Sequence, residues 1–228
     1  MARKKTFAVI GASPLGLSVA RELDKKKQIV KLFDISEEKL NAHIDDFESV
    51  EGIVADCTLK KVLEKNGIDQ FDSVIVCISK NIEANIMVTL NIIDLNVSNF
   101  IVQGIENKHE RILIALGLTE EQIIVPNKIS GKLVATKVLF DIDIDVQPID
   151  NEFVFTKVEV KEESHFDRSI AENNLVTNKD FTIVQIRREG KILIPDEYTI
   201  IKERDLLYIF ARNNIVNDLV LKISGINE

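Results

Sequence analysis

The chain has 228 residues, 45% of them hydrophobic and 29% charged; that is enough apolar material to close a core, which excludes a disordered polypeptide. With 37 acidic against 29 basic residues the formal net charge is −8, so a polyanion such as nucleic acid is repelled on average and is not an expected partner. No run of about 20 apolar residues is present to span a bilayer, the apolar stretch behind the first six residues is too short for a signal-peptide core, and two cysteines, Cys57 and Cys77, make neither a disulfide framework nor a zinc site and suit the reducing cytosol.

Thr6–Ile10 is a short apolar run that stops at Gly11, the pattern of a buried strand. Leu15, Val19 and Leu23 then share one helical face. A second apolar run over 29–33 stops at Asp34, and Ser36 stands where a helix N-cap belongs, ahead of Glu38 and Lys39. Residues 52–55 form a third strand, followed by Asp56-Cys57-Thr58 and a helix carrying Leu59, Val62 and Leu63. Residues 73–78 are the fourth and most apolar strand. A long helix over 81–95 comes next, then strands at 100–102 and 122–125 around a helix at 108–116. Short all-apolar strands alternating with helices predict an α/β fold, a Rossmann-like doubly wound parallel sheet covered on both faces, over residues 1–126.

The pattern changes after Pro126. Residues 127–140 read as a linking helix, and 141–228 as a small α+β domain. Its strands run over 141–149 and 152–160 with period 2, but Phe153, Phe155, Val158 and Val160 do not hold one phase, which predicts a bulge or a crossing. A short helix is expected over 169–174. Strands at 181–186 and 191–194 flank Arg187-Arg188-Glu189-Gly190, a hairpin signal. A last strand at 206–211 and a last helix at 215–223 complete the chain.

Gly11-Ala12-Ser13-Pro14-Leu15-Gly16 falls between the first strand and the first helix, where a dinucleotide-binding fold keeps its phosphate turn. Gly11 allows the tight turn and Gly16 keeps helix and strand close. The middle position, normally glycine, is Ser13, whose hydroxyl can donate to phosphate while its Cβ takes space. Asp34, about 20 residues on at the end of the second strand, can accept from ribose hydroxyls, with Ile35 beside it. The alternative is a tight strand-to-helix turn that holds no ligand. Asp56, Cys57 and Ser79 follow the third and fourth strands, at the edge of the crevice; Asp56 either reaches an adenine amine or caps the next helix, and Asn81 reads as an N-cap.

No catalyst is legible. His43, His109 and His165 are scattered among charged residues and read as solvated side chains, and no nucleophilic triad or metal-ligand spacing appears. Cys57 and Cys77 read as small buried residues of the sheet. An NAD-dependent oxidoreductase is the alternative class, with Asp34 favouring NAD over a 2′-phosphorylated cofactor, but it lacks an acid–base pair for hydride transfer.

Taken together, Phe7-Ala8-Val9-Ile10-Gly11 with Gly16 and Ser18, Asp34-Ile35-Ser36-Glu37-Glu38-Lys39, Ala55-Asp56-Cys57-Thr58, Val74-Ile75-Val76, the stretch 81–90, Leu116-Gly117, and Ile123-Ile124-Val125-Pro126 resemble the RCK (regulator of potassium conductance) family, most closely its KtrA/KtrC and TrkA types. Pro195 and Asp205-Leu206-Leu207-Tyr208 resemble the C-terminal RCK subdomain. The resemblance covers nearly the whole chain. It implies a cytosolic, non-enzymatic gating subunit, a homodimer assembled as an octameric ring at the inner face of the cell membrane, beneath a potassium-translocating subunit of the KtrB/TrkH type. It also implies an adenine nucleotide (ATP, ADP, AMP or NAD) held by Gly11, Ala12, Ser13, Leu15, Gly16, Asp34, Ile35, Asp56, Cys57 and Ser79, with no metal residue assigned in this chain. Cyclic di-AMP is implied at a C-terminal dimer interface, on Asn174, Leu175, Val176, Ile183, Ile194 and Pro195; the alternative there is an ordinary hydrophobic dimer core. Pro14, Gln103, Asn127 and Val176 depart from the family pattern. The first two stand where it has phosphate-facing cations and Asn127 where it has an acidic cation ligand, which shifts the expectation from ATP toward AMP, ADP, NAD or no ligand; Val176 stands where it has an arginine, which weakens the expectation of cyclic di-AMP.

Overall fold

Glycine or a carboxylate stops each of the first three apolar runs, and in the computed structural model, which describes residues 3–139 and 146–225, those runs become parallel strands. The order is β1 (Thr6–Ile10), α1 (Pro14–Lys25), β2 (Ile29–Asp34), α2 (Glu37–Asn41), β3 (Val50–Val54), α3 (Lys60–Lys65), β4 (Ser73–Val76), α4 (Ile82–Asp94), β5 (Phe100–Gln103), α5 (Asn107–Ala115) and β6 (Ile123–Ile124). After α6 (Pro126–Leu139) come β7 (Val146–Pro148), β8 (Phe153–Glu159), β9 (Phe181–Arg188), β10 (Lys191–Leu193), β11 (Leu206–Arg212) and α7 (Val216–Ser224). The chain divides into two compact units, residues 1–127 and 128–228.

The first unit is the expected doubly wound sheet, ordered β3-β2-β1-β4-β5-β6 and parallel throughout. Strand residues alternate between two cores because successive Cβ atoms point to opposite faces. Ala8 and Ile10 join Phe33, Val74, Val76, Val88 and Ile92 on one face; Val9 joins Leu32, Val30, Ile75 and Ala20 on the other. Winding outward through β2 and β3 and then returning to β4 beside β1 opens a crevice at the carboxyl ends of β1 and β4. Caps fix the helix starts: Ser13, Ser36 and Asn81 accept from the amides of Gly16, Lys39 and Ala84.

Asp24, at the end of α1, is buried and accepts from the amides of Glu48 and Ser49 and from the Ser49 hydroxyl. That hydroxyl, aided by the amides, holds the Asp24 carboxyl below the usual carboxylate range against the burial that pushes it up. A carboxyl depressed in the folded state contributes stability that is fully present above its unfolded value, near ~3.9, and is lost as pH falls through the folded value. Asp24→Ala is therefore expected to lower the thermal midpoint at pH 7, and that penalty should shrink in melts run toward pH 3. A penalty equal at both pH values would disprove the linkage.

The second unit is an antiparallel sheet ordered β10-β9-β11-β8-β7, with α7 against one face. Several expectations are corrected here. β8 contains no bulge: it pairs in unbroken register with β11, from Phe153↔Arg212 to Glu159↔Leu206. Its mixed phase arises because both faces are apolar. Val154, Thr156 and Val158 face the core, while Phe153 and Phe155 meet Phe210, stacked 4.8 Å from Phe153, and Tyr208 on the other face. The irregularity lies instead between β9 and β11, at Tyr208/Ile209. The hairpin loop is two residues, Glu189-Gly190 with φ of 48° and 80°, the left-handed pair of a type I′ turn, so Arg187 and Arg188 belong to the strand. Residues 169–174 make hydrogen-bonded turns rather than a helix, ended by Asn174 at φ 53° and tied back by the bridge Ser169↔Ile200. Of the run expected over 141–149, residues 141–145 lie outside the described residues, as does Phe140 of the expected linking helix.

Two histidines are buried, not solvated. His109 is 1% exposed and its Nδ1 accepts from the Ile105 amide, while burial pushes its pKa down. His165 places its ring nitrogens 2.8 Å from Asn173 Oδ1 and from the Lys222 carbonyl, tying the loop before residue 169 to α7. His43 is half-buried just after α2.

Candidate functional site

The crevice at the switch between β1 and β4 is a cavity of about 520 Å³. Its first wall is the turn after β1. Gly11 has φ 108°, and a Cβ there would stand 2.7 Å from the Cys77 carbonyl oxygen; at Gly16 it would stand 2.0 Å from the Gly11 carbonyl oxygen. Both glycines are thus demanded by close backbone approach. Pro14 at the first helical position has no N–H, and the Ser13 hydroxyl oxygen accepts the Gly16 amide at 3.2 Å. Of the first three helical amides, only that of Leu15 is left for an anion. The Leu15 side chain packs into the core and, like Gly16, is not part of the cavity wall.

The second wall is the end of β2. Asp34, 9% exposed, accepts from the Ala12 amide at 2.8 Å on one oxygen and from the Ser36 amide at 2.9 Å on the other, and Lys39 Nζ lies 3.6 Å away. The carboxylate that faces the cavity thus also braces the turn after β1. Ile35 lines the wall beside it. After β3, Asp56 accepts from the Thr58 amide and hydroxyl at 3.0 and 2.6 Å; Leu59, not Asp56, is the N-cap of α3, so the capping alternative is set aside. Cys57 and Cys77 both line the cavity, and burial pushes both thiols up to about 12, leaving them protonated and inert at neutral pH. Ser79 and Asn81 complete the rim, while Ile10, Phe33, Ile78, Ala84 and Val88 give an apolar interior suited to a nucleobase.

The sequence reading missed four residues here. Lys39 and Lys80 line the cavity. Asn85, fully buried, donates from Nδ2 to the Ile78 and Gln103 carbonyls and so ties the ends of β4 and β5 together; Asn91 donates to the Thr58 carbonyl and anchors the loop after β3. Each asparagine sits three residues from Val88 on α4, an apolar helical face interrupted by amides, which was the available signal. Gln103 is buried and not on the wall, and its Oε1 has no partner among the described residues; Asn127 is exposed on α6.

The residues proposed for a second ligand separate. Leu175 and Ile183 are buried in the core of the second unit. Asn174, Val176 and Ile194 are exposed, Ile194 at 81%, and Pro195 is half-buried.

The TrkA-N domain model matches residues 7–126 and the TrkA-C domain model matches residues 155–223. The chain is similar to the Ktr system potassium uptake protein A of Bacillus subtilis, 32% identical over 211 residues and covering 92% of each chain. It is also similar to protein C of the same system and organism, 27% identical with 91% and 92% covered. Among solved structures, the GsuK RCK domain superposes with a TM-score of 0.58 at 16% identity over 100% of this chain and 49% of that one. The GsuK channel bound to NAD does so at 0.57 and 15%, over 96% and 40%. The chain spans less than half the length of those two solved chains, and at such identities they speak for the fold alone. Among the described residues no helix is long and apolar enough to cross a membrane. With the two domain models in this order and Ktr relatives matched almost end to end, the chain belongs to the RCK family of regulatory subunits of potassium uptake systems.

Proposed function

We propose that this subunit is a non-enzymatic sensor whose first unit binds an adenine nucleotide and whose second unit binds cyclic di-AMP between two copies of the chain. In this reading α6 links the two units, and dimers build an octameric ring on the cytoplasmic side of a membrane potassium-translocating subunit. A ligand that prefers one ring state shifts the gate by its differential affinity for the two states. The observation that carries the nucleotide part is the cavity at the switch of strand order, with Asp34 on its wall and an apolar interior behind it. The cyclic di-AMP part is supported by the exposed residues Asn174, Val176 and Ile194 and rests chiefly on the family resemblance.

Calorimetric titration with ATP, ADP, AMP, NAD and cyclic di-AMP tests it. Asp34→Ala is expected to weaken adenine nucleotides more than about tenfold and to spare cyclic di-AMP. Because this change also strips two backbone amides of their acceptor, a thermal melt of the variant must accompany it. Asn174→Gly is the matching change in the second unit: it removes the amide side chain while keeping a residue that tolerates φ 53°. It should lose cyclic di-AMP alone. Equal losses of both ligands in either variant would refute the two-site scheme, and sustained hydride transfer by the purified protein would favour the NAD-dependent oxidoreductase instead.

A further inference from the structure

We infer that Lys80 is the phosphate-reading residue of the N-terminal cavity, and that it suits the site to an adenine nucleotide bearing one or two phosphates. This rests on the nucleotide reading above and adds to it a residue and a ligand class. Four observations converge. The turn after β1 is a poor anion cradle, because Pro14 has no amide and Ser13 takes that of Gly16. Gln103 is buried off the cavity wall and contributes no charge to it. Of the two lysines on the wall, Lys39 already faces the Asp34 carboxylate at 3.6 Å. Lys80 is exposed and, among the described residues, has no carboxylate partner, so it is the unpaired cation of the cavity.

Its position fits the role. The Cys77 amide donates to the Ile10 carbonyl at 2.7 Å, and the Gly11 α-carbon packs against the Cys77 carbonyl so closely that a Cβ would collide with it. The chain leaving β4 therefore runs alongside the turn after β1, and Lys80 follows three residues later, immediately before the Asn81 cap of α4. Asp56, which like Lys80 has no oppositely charged partner among the described residues, stands at the end of β3. The cavity is thus polarised, with a carboxylate for a base amine on one wall and an ammonium for phosphate on another. A single unpaired ammonium balances a monophosphate or diphosphate better than a triphosphate, whose further charge has no cation to meet.

The test is calorimetry of the intact chain with adenosine, AMP, ADP and ATP, on wild type and on Lys80→Met, Lys80→Arg and Lys39→Met. In the wild type, AMP and ADP should bind about tenfold tighter than adenosine, and ATP no tighter than ADP. Lys80→Met should bring AMP to within about twofold of adenosine while adenosine itself is unchanged; Lys80→Arg should restore the gap, and Lys39→Met should keep it. A preference for AMP that survives Lys80→Met overturns this assignment and leaves the nucleotide site standing. Failure of the wild type to bind any of the four overturns both.

Discussion

Gly16→Ala is expected to destabilise the first unit by about 3 kcal/mol or more, although alanine is the better helix former. Two effects compete at this position. Within a helix, alanine gains roughly 1 kcal/mol over glycine. Against that, the new Cβ would stand 2.0 Å from the Gly11 carbonyl oxygen and 3.1 Å from the Cys77 Cβ. The Gly11 carbonyl cannot retreat cheaply, since its residue is held by a 2.7 Å bond from its amide to the Phe33 carbonyl and already presses on the Cys77 backbone. The clash wins, and α1 must lift from the sheet, taking one wall of the cavity with it. Gly131 in α6 is the control: a Cβ there meets nothing within 4 Å, so Gly131→Ala should be neutral or gain up to about 1 kcal/mol. Urea unfolding of the two variants beside wild type checks both signs. A Gly16→Ala protein as stable as its parent would show that the turn is not packed as described.

The same glycine explains what the sequence made readable. Tight backbone approach between a strand and the helix after it leaves a residue-type signature, glycine at fixed spacing behind an apolar run, so the turn, the parallel sheet and the place of Asp34 were all legible. Contacts made by a residue in several directions at once were not. Asp34 could be expected to face a ribose, yet nothing in its neighbours says that both of its oxygens already accept from the Ala12 and Ser36 amides. His109 sits among charged residues, but a helix has two faces, and its ring fills the inner one and accepts from the Ile105 amide. Residues 169–174 have helical composition, yet Asn174 in the left-handed region and the bridge from Ser169 to Ile200 close the segment as a turn. Phe153 and Phe155 fall out of phase with a strand that has one apolar face, because Phe210 and Tyr208 give them a second. In the cavity, Lys80 carried no motif; only the departure of Pro14 and Gln103 from the expected pattern indicated that charge had to come from elsewhere.

In the second unit the largest effect is expected from Arg188→Met. Asp205 is fully buried, and Arg188 grips it with two parallel bonds, Nε to Oδ1 at 2.8 Å and Nη2 to Oδ2 at 2.7 Å. The same Nη2 donates to the Ile200 carbonyl at 2.7 Å, and Asp205 Oδ2 accepts from the Lys202 amide at 2.8 Å. Hydrogen bonding to Asp205, first among the causes, pushes the guanidinium pKa up, so the arginine stays charged wherever the protein is folded. Removing it leaves a carboxylate out of water with one amide for company, and breaking a buried pair in this way costs about 3–5 kcal/mol. Asp205→Leu alone should cost less, because Arg188 is 26% exposed and can turn its charge to solvent. The double change Arg188→Met with Asp205→Leu removes both charges and should recover part of the loss, giving a coupling of about 1–3 kcal/mol in a urea-unfolding cycle. The pair also closes the segment from Ile194 and Pro195 back to β11, so a cycle with strictly additive losses would mean that this segment is held by its turns and not by the ion pair.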